Sequence, residues 1–117
     1  GGTFFLPRLV GLPRATAMMM LGEKISAQRA FEMGMIYKVC EEGALAAEAS
    51  TLAAQLASMP TTSLGLIKHA LNCSFANTLD AQLDLEASLQ EQAGGTSDYQ
   101  EGLRAFLEKR QPKFTGR

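Results

Sequence analysis

Ser97-Asp98-Tyr99-Gln100-Glu101-Gly102-Leu103-Arg104-Ala105-Phe106-Leu107-Glu108-Lys109-Arg110 reads as a single amphipathic helix. Tyr99, Gly102, Leu103, Phe106 and Leu107 recur at i, i+3, i+4, i+7 and i+8, which places them on one face meant for burial. Ser97 followed three residues later by Gln100 has the form of a capping box, so Ser97 is the expected N-cap. Lys109 and Arg110 fall at the end of the pattern, where the helix dipole favours cations, and Pro112 stops the helix soon after. On these grounds the segment is a terminal helix docked by its apolar face, with a solvated basic end.

Upstream of it the same period repeats. Leu45, Ala49, Leu52 and Leu56 define one helix face, ended by Pro60; Leu64, Ile67, Leu71 and Phe75 define a second, starting near Thr61 or Thr62. Thr78 caps a third helix bearing Leu79, Leu83 and Ala87, with Leu85 and Leu89 flanking, and Gly94-Gly95 breaks it. In the first forty residues Pro7 and Gly11 punctuate the cluster Phe4, Phe5, Leu6, Leu9 and Val10, so one turn of helix at most is expected there. Pro13 opens the next helix, which Gly22 closes, and Ser26 caps a short one running to Met33 and stopped by Gly34. Met35 to Cys40 alternates as a brief strand, the only one foreseen. A lone strand cannot satisfy its own backbone groups, so it requires a sheet edge outside this chain. The expected class is mainly α, with at most one short strand near 36–39.

Composition agrees and excludes several functions. The chain has 117 residues, enough for one domain with a modest core, and 46% of them are hydrophobic, with Ala, Leu and Met prominent. A net charge of −1 gives no electrostatic case for a nucleic-acid or membrane partner. No apolar run approaches the roughly 20 residues of a membrane span. Cys40 and Cys73 are too few for a disulfide scaffold and read as reduced thiols of a cytoplasmic protein.

No catalytic centre assembles from the residues alone. His69 and Cys73 stand four apart on one helix, but zinc takes three or four protein ligands and only Cys40 is left to join them, so no metal site is expected. Ser63, Ser74 and Ser88 have only His69 as a base, without a nucleophile-elbow pattern. Asp80, Asp84 and Glu86 mark a solvated helix face, and Glu41-Glu42 precedes a helix whose dipole it complements. Gly1-Gly2-Thr3 offers backbone N–H groups to an anion, a weak signal by itself. These observations describe a helical domain with apolar faces that need a partner.

The order of short motifs says more. Gly1-Gly2-Thr3-Phe4-Phe5-Leu6-Pro7-Arg8-Leu9-Val10-Gly11 resembles the GGT-x-x-LPR-x-x-G segment of the enoyl-CoA hydratase/isomerase (crotonase) superfamily. Leu21-Gly22, Ser26-Ala27, Ala30, Gly34-Met35-Ile36, Val39, Pro60, Ile67-Lys68 and Asn77-Thr78-Leu79 follow in family order. Glu86, Asp98, Glu101-Gly102, Ala105-Phe106 and Lys109-Arg110-x-Pro112-x-Phe114 complete it, so the resemblance covers essentially the whole chain. Leu64 to Lys68, Asn77 to Asp80, Gln82 to Glu86, Ser97-Asp98-Tyr99 and Phe114-Thr115-Gly116 look like the phenylacetate-degradation branch, which isomerises a ring-epoxidised phenylacetyl-CoA to an oxepin-CoA.

The resemblance implies the C-terminal helical region of a crotonase fold. Residues 1–40 would end the spiral core, and 41–117 would form a helical region that mediates trimer or hexamer contacts and closes the CoA site. The oxyanion hole, which stabilises the thioester enolate, and the acid/base carboxylates would precede Gly1. The chain is therefore expected to be a piece of a longer enzyme, with no catalytic residue of its own and no turnover in isolation. The implied substrate is an acyl-CoA thioester, with no separate cofactor. Lys109 matches a residue that in relatives reaches CoA, and an ammonium suits a phosphate. Phe106 matches core packing. Gln90 stands where some hydratases carry an aromatic residue against the adenine, which is a departure from that contact. A straight-chain enoyl-CoA hydratase of fatty-acid oxidation is the enzymatic alternative, with two upstream glutamates in place of one Asp. A non-catalytic helical oligomerisation module is the other.

Overall fold

The computed structural model describes residues 1–117 and contains seven helices and no strand. They are α1 (Gly2–Val10), α2 (Leu12–Leu21), α3 (Ala27–Glu32), α4 (Leu45–Ala57), α5 (Thr61–Ser74), α6 (Leu79–Gly94) and α7 (Ser97–Leu107). The chain divides into two compact units, Gly1–Ala46 and Ala47–Arg117. The mainly α expectation holds. The brief strand foreseen at Met35–Cys40 does not form, and residues 35–37 make bends instead. The chain holds no second strand to take its backbone groups, so alternation alone had nothing to pair with.

In the first unit α1 and α2 pack together, and Val10, Ala15 and Met33 form a small core covered by Leu6, Met18 and Ile25. Helix α1 runs nine residues with Pro7 inside it, where punctuation had allowed one turn. Proline deletes a single ladder bond, the one to Thr3, and leaves the rest of the helix intact. Arg8 works beside that gap. Its Nη1 donates to the Phe4 carbonyl at 2.7 Å, and its guanidinium carbon lies 3.7 Å from the centre of the Phe4 ring. Helix α2 ends as foreseen at Gly22, whose φ of +65° is left-handed and whose amide donates to Met18. Ser26 caps α3 by accepting from the Arg29 amide at 3.1 Å.

The second unit is built on the helical hairpin α5–α6, with α7 packed on α6. Thr78 caps α6 as expected, accepting from the Ala81 amide. Gln82 ties the hairpin together: its Nε2 donates across to the Ala70 carbonyl at 3.3 Å, while its Oε1 accepts from Asn77 at 3.0 Å. Of the apolar positions on α6, the flanking pair turns inward. Leu89 is buried and Leu85 half-buried, whereas Leu79 and Leu83 stay exposed.

Helix α7 departs from its sequence reading in two ways. Its N-cap is Thr96, which accepts from the Tyr99 amide at 3.1 Å, so Ser97 is the first helical residue and no capping box with Gln100 forms. Its buried side is also different. Asp98 and Ala105 are buried, at 2% and 1% exposure, while Tyr99, Leu103, Phe106 and Leu107 remain open to solvent within this chain. A period of 3.6 identifies faces but not which face a neighbour takes, and here the neighbour is the chain's own tail.

Candidate functional site at the basic end of the last helix

The tail, residues 111–117, turns back along α7 and is gripped by two carboxylates one turn apart. Asp98 accepts from the Thr115 amide through Oδ1 and from the Gly116 amide through Oδ2, each at 2.7 Å, and from the Thr115 hydroxyl at 3.3 Å. Glu101 binds Arg110 through both oxygens, at 2.6 and 3.0 Å, and its Oε1 also accepts from the Lys113 amide at 2.8 Å. Arg110 bonds Glu108 as well, at 2.6 Å. At the far end the Ser97 hydroxyl and the Asp98 amide both donate to the Arg117 carbonyl, at 2.8 and 2.9 Å, and Thr62 donates to the Gly116 carbonyl at 2.6 Å.

These contacts fix the charges. The Thr115 amide is the main influence holding the Asp98 carboxyl below its ordinary range, against burial, which pushes the other way. The bond from Arg110 does most to bring Glu101 down to about 2, with the Lys113 amide next. Arg110 is raised in turn, chiefly by Glu101 and then by Glu108.

Lys109 sits at the turn where helix becomes tail, with a φ of +54°, the one residue other than glycine in left-handed conformation. The Arg110 amide donates back to Ala105 at 3.0 Å and the Lys109 amide to Phe106 at 3.2 Å. That is the Schellman pattern of helix termination, and its left-handed position usually carries glycine. Lys109 is exposed, and its ammonium makes no hydrogen bond or ion pair within the chain. Its long cationic side chain is therefore presented free, at a backbone position that a lysine occupies at a cost.

The other candidates are placed elsewhere. Gln90 lines an open groove of about 510 Å3 between α5 and α6, with Leu66, Ile67, Leu71, Glu86 and Tyr99. His69 Nδ1 lies 4.0 Å from the Cys73 sulfur, and no group of three metal-ligating side chains exists in the chain. Both cysteines are unpaired. Ser74 donates to the Leu71 carbonyl and Ser88 accepts from Gln92, so neither meets His69. Asp80 and Asp84 are exposed, and Glu86 accepts from Gln82. The roles of Asp98, Glu101 and Arg110 were missed by residue-level reasoning. Their signal lay in the same ordered motifs that carry the resemblance, from Asp98 and Glu101-Gly102 to Lys109-Arg110 and Phe114.

An enoyl-CoA hydratase/isomerase family model matches residues 1–117. The chain belongs to that family. It is 51% identical, over its full length, to 45% of the 1,2-epoxyphenylacetyl-CoA isomerase of Escherichia coli K12. It is 44% identical to a Rhodobacter capsulatus protein named "Probable enoyl-CoA hydratase", again over all of this chain and 46% of that one. The trans-2-decenoyl-[acyl-carrier-protein] isomerase of Streptococcus mutans matches at 41%, over all of this chain and 44% of its own length. The crystal structure of an enoyl-CoA hydratase from Bacillus anthracis superposes with a TM-score of 0.92 at 37% identity, covering all of this chain and 45% of that one. This member of the family thus spans less than half the length of the curated relatives it matches.

Proposed function

We propose that the protein containing this chain is an acyl-CoA isomerase of the crotonase superfamily acting on the ring epoxide of phenylacetyl-CoA. The observation that carries the reading is the 51% identity to the E. coli isomerase across all 117 residues. In this reading the chain supplies no catalytic group. Residues 1–40 end the spiral core, and residues 41–117 are the helical region that closes the CoA site and assembles trimers or hexamers in the cytoplasm. The enolate is stabilised by groups preceding Gly1. Lys109 supplies a point charge to the phosphates of CoA, in keeping with its free ammonium and its left-handed backbone. Strained backbone is maintained where function needs the side chain.

The test is turnover of the whole protein on two substrates. Ring isomerisation of epoxyphenylacetyl-CoA, well above hydration of crotonyl-CoA, is the expected result; the reverse preference establishes the straight-chain hydratase. That second reading has its own support in the 44% identity to the R. capsulatus protein. For the isolated 117-residue chain, self-association without turnover is expected, because Phe106, Leu107, Leu103 and Tyr99 lie exposed along one face of α7. Turnover above buffer overturns the claim that chemistry comes from elsewhere, and a monomer at tens of micromolar by light scattering overturns the claim of assembly.

A further inference from the structure

Lys109 holds a conformation that its own residue type disfavours, so something else must impose it. A non-glycine residue in the left-handed region loses roughly 1 kcal/mol relative to the right-handed one, and such strain persists only where the surroundings over-determine it. Two Schellman bonds close the turn from the helix side. From the tail side Glu101 takes Arg110, immediately after Lys109, with both oxygens, and Lys113, four residues on, through a backbone amide, while Glu108 accepts from the same guanidinium at 2.6 Å. The Glu101 side chain is only 14% exposed, and a second cation, Arg104, lies 3.7 Å away. Charge-assisted, two-pronged bonds of this kind are the strong and geometrically specific ones. Asp98 anchors the tail further along, at the Thr115 and Gly116 amides.

We propose that Glu101 is a positioning residue: by clamping Arg110 and the Lys113 amide against α7, it locks the turn that presents Lys109. The clamp itself stands on the geometry; its consequence for ligand rests on the reading of Lys109 as a CoA contact. Arg104 and Arg110 both face Glu101, and Glu108, on the other side of Arg110, shares the same partner.

The test uses the whole protein with Glu101→Gln, Lys109→Gln and the double variant. Two readouts are taken: tryptic cleavage after Arg110 and Lys113, followed by mass spectrometry, and KM for an acyl-CoA against the matching pantetheine thioester, which lacks the nucleotide phosphates. Glu101→Gln keeps size and shape but loses the charge, so cleavage at both sites rises about tenfold as the open tail becomes more populated. KM for the CoA thioester also rises several-fold, with kcat and the pantetheine thioester unaffected. Lys109→Gln raises the CoA KM without opening the tail, and the double variant is no worse than either single one. A protected tail in Glu101→Gln, or CoA losses that add in the double variant, overturns the proposal. An unchanged KM in Lys109→Gln overturns the CoA reading of that lysine instead, and the cleavage pattern then still decides whether the clamp exists.

Discussion

The Asp98 carboxylate meets the Gly116 amide at 2.7 Å, eighteen residues further along the chain. Its other oxygen meets the Thr115 amide at the same distance. A carboxylate that accepts from successive backbone amides is held in one orientation and kept ionised. Asp98→Asn leaves the shape intact but turns one acceptor into an NH2 group facing an N–H. The expected outcome is a lower melting temperature and faster hydrogen exchange at the Thr115 and Gly116 amides, by about tenfold, as local opening becomes easier. Exchange unchanged at both amides would remove the tail's dependence on this residue.

Acid acts on the same strap, with a definite sign. Glu101 titrates near 4.5 when free and at about 2 in the fold, so its contribution is complete above pH 4.5 and disappears as the pH falls towards 2. Asp98, also lowered, loses its contribution in the same direction below its ordinary value of 3.8. Acid titration followed by tryptophan-independent probes such as far-ultraviolet circular dichroism is expected to show stability falling below pH 4.5, with a shallower fall in Glu101→Gln. A stability rising on acidification contradicts this assignment.

At Lys109 stability and binding are expected to part. Glycine takes the left-handed position freely, so Lys109→Gly should raise stability by roughly 0.5–1 kcal/mol while weakening CoA binding. Calorimetric melting and CoA titration measure the two halves separately. A destabilised Lys109→Gly variant would mean that the side chain, rather than the backbone, dominates at this turn.

The N-cap of α7 is a sharper test of local structure. Thr96→Ala removes the acceptor for the Tyr99 amide and is expected to cost about 1 kcal/mol. Ser97→Ala removes one exposed bond to the Arg117 carbonyl and is expected to cost under about 0.5 kcal/mol. Equilibrium denaturation ranks the two, and the opposite ranking restores Ser97 as the cap.

Two glycines on the strap should respond in opposite directions. A methyl group on Gly102 would meet the Phe114 ring at 3.7 Å, an ordinary contact, so Gly102→Ala gains helix propensity of about 0.5–1 kcal/mol. Gly116 has a φ of +80°, and a methyl there would stand 2.5 Å from the Thr61 hydroxyl oxygen. Gly116→Ala is expected to lose roughly 1–2 kcal/mol from the backbone alone. Thermal melting of the pair checks both signs.

Local signals were legible in the sequence wherever a local mechanism set them. Ser26 and Thr78 as caps, Gly22 as a left-handed stop and Gly94-Gly95 as a break all act within a few residues, and each stands where it was expected. The choice of buried face was not legible, because it depends on neighbours far along the chain. The stripe Tyr99–Leu107 looks like a core face by period, yet the tail lies on the side of Asp98, Glu101 and Ala105. Pro7 misled through the opposite error, since a proline in a helix costs one bond and the remaining contacts of Leu6 and Val10 with the small core outweigh it. Lys109 was legible only through the ordered motifs; nothing in its flanking residues announces a left-handed lysine.

The strap also bears on how this part of the molecule forms. Apart from the bonds from Thr62 and to Glu108, the links that fix the tail join residues 9 to 20 positions apart. Loops of that size close at small entropic cost, and contacts of short sequence separation form early. Helix α7 and the segment that follows it are thus a self-closing unit that can order on short-range contacts of its own.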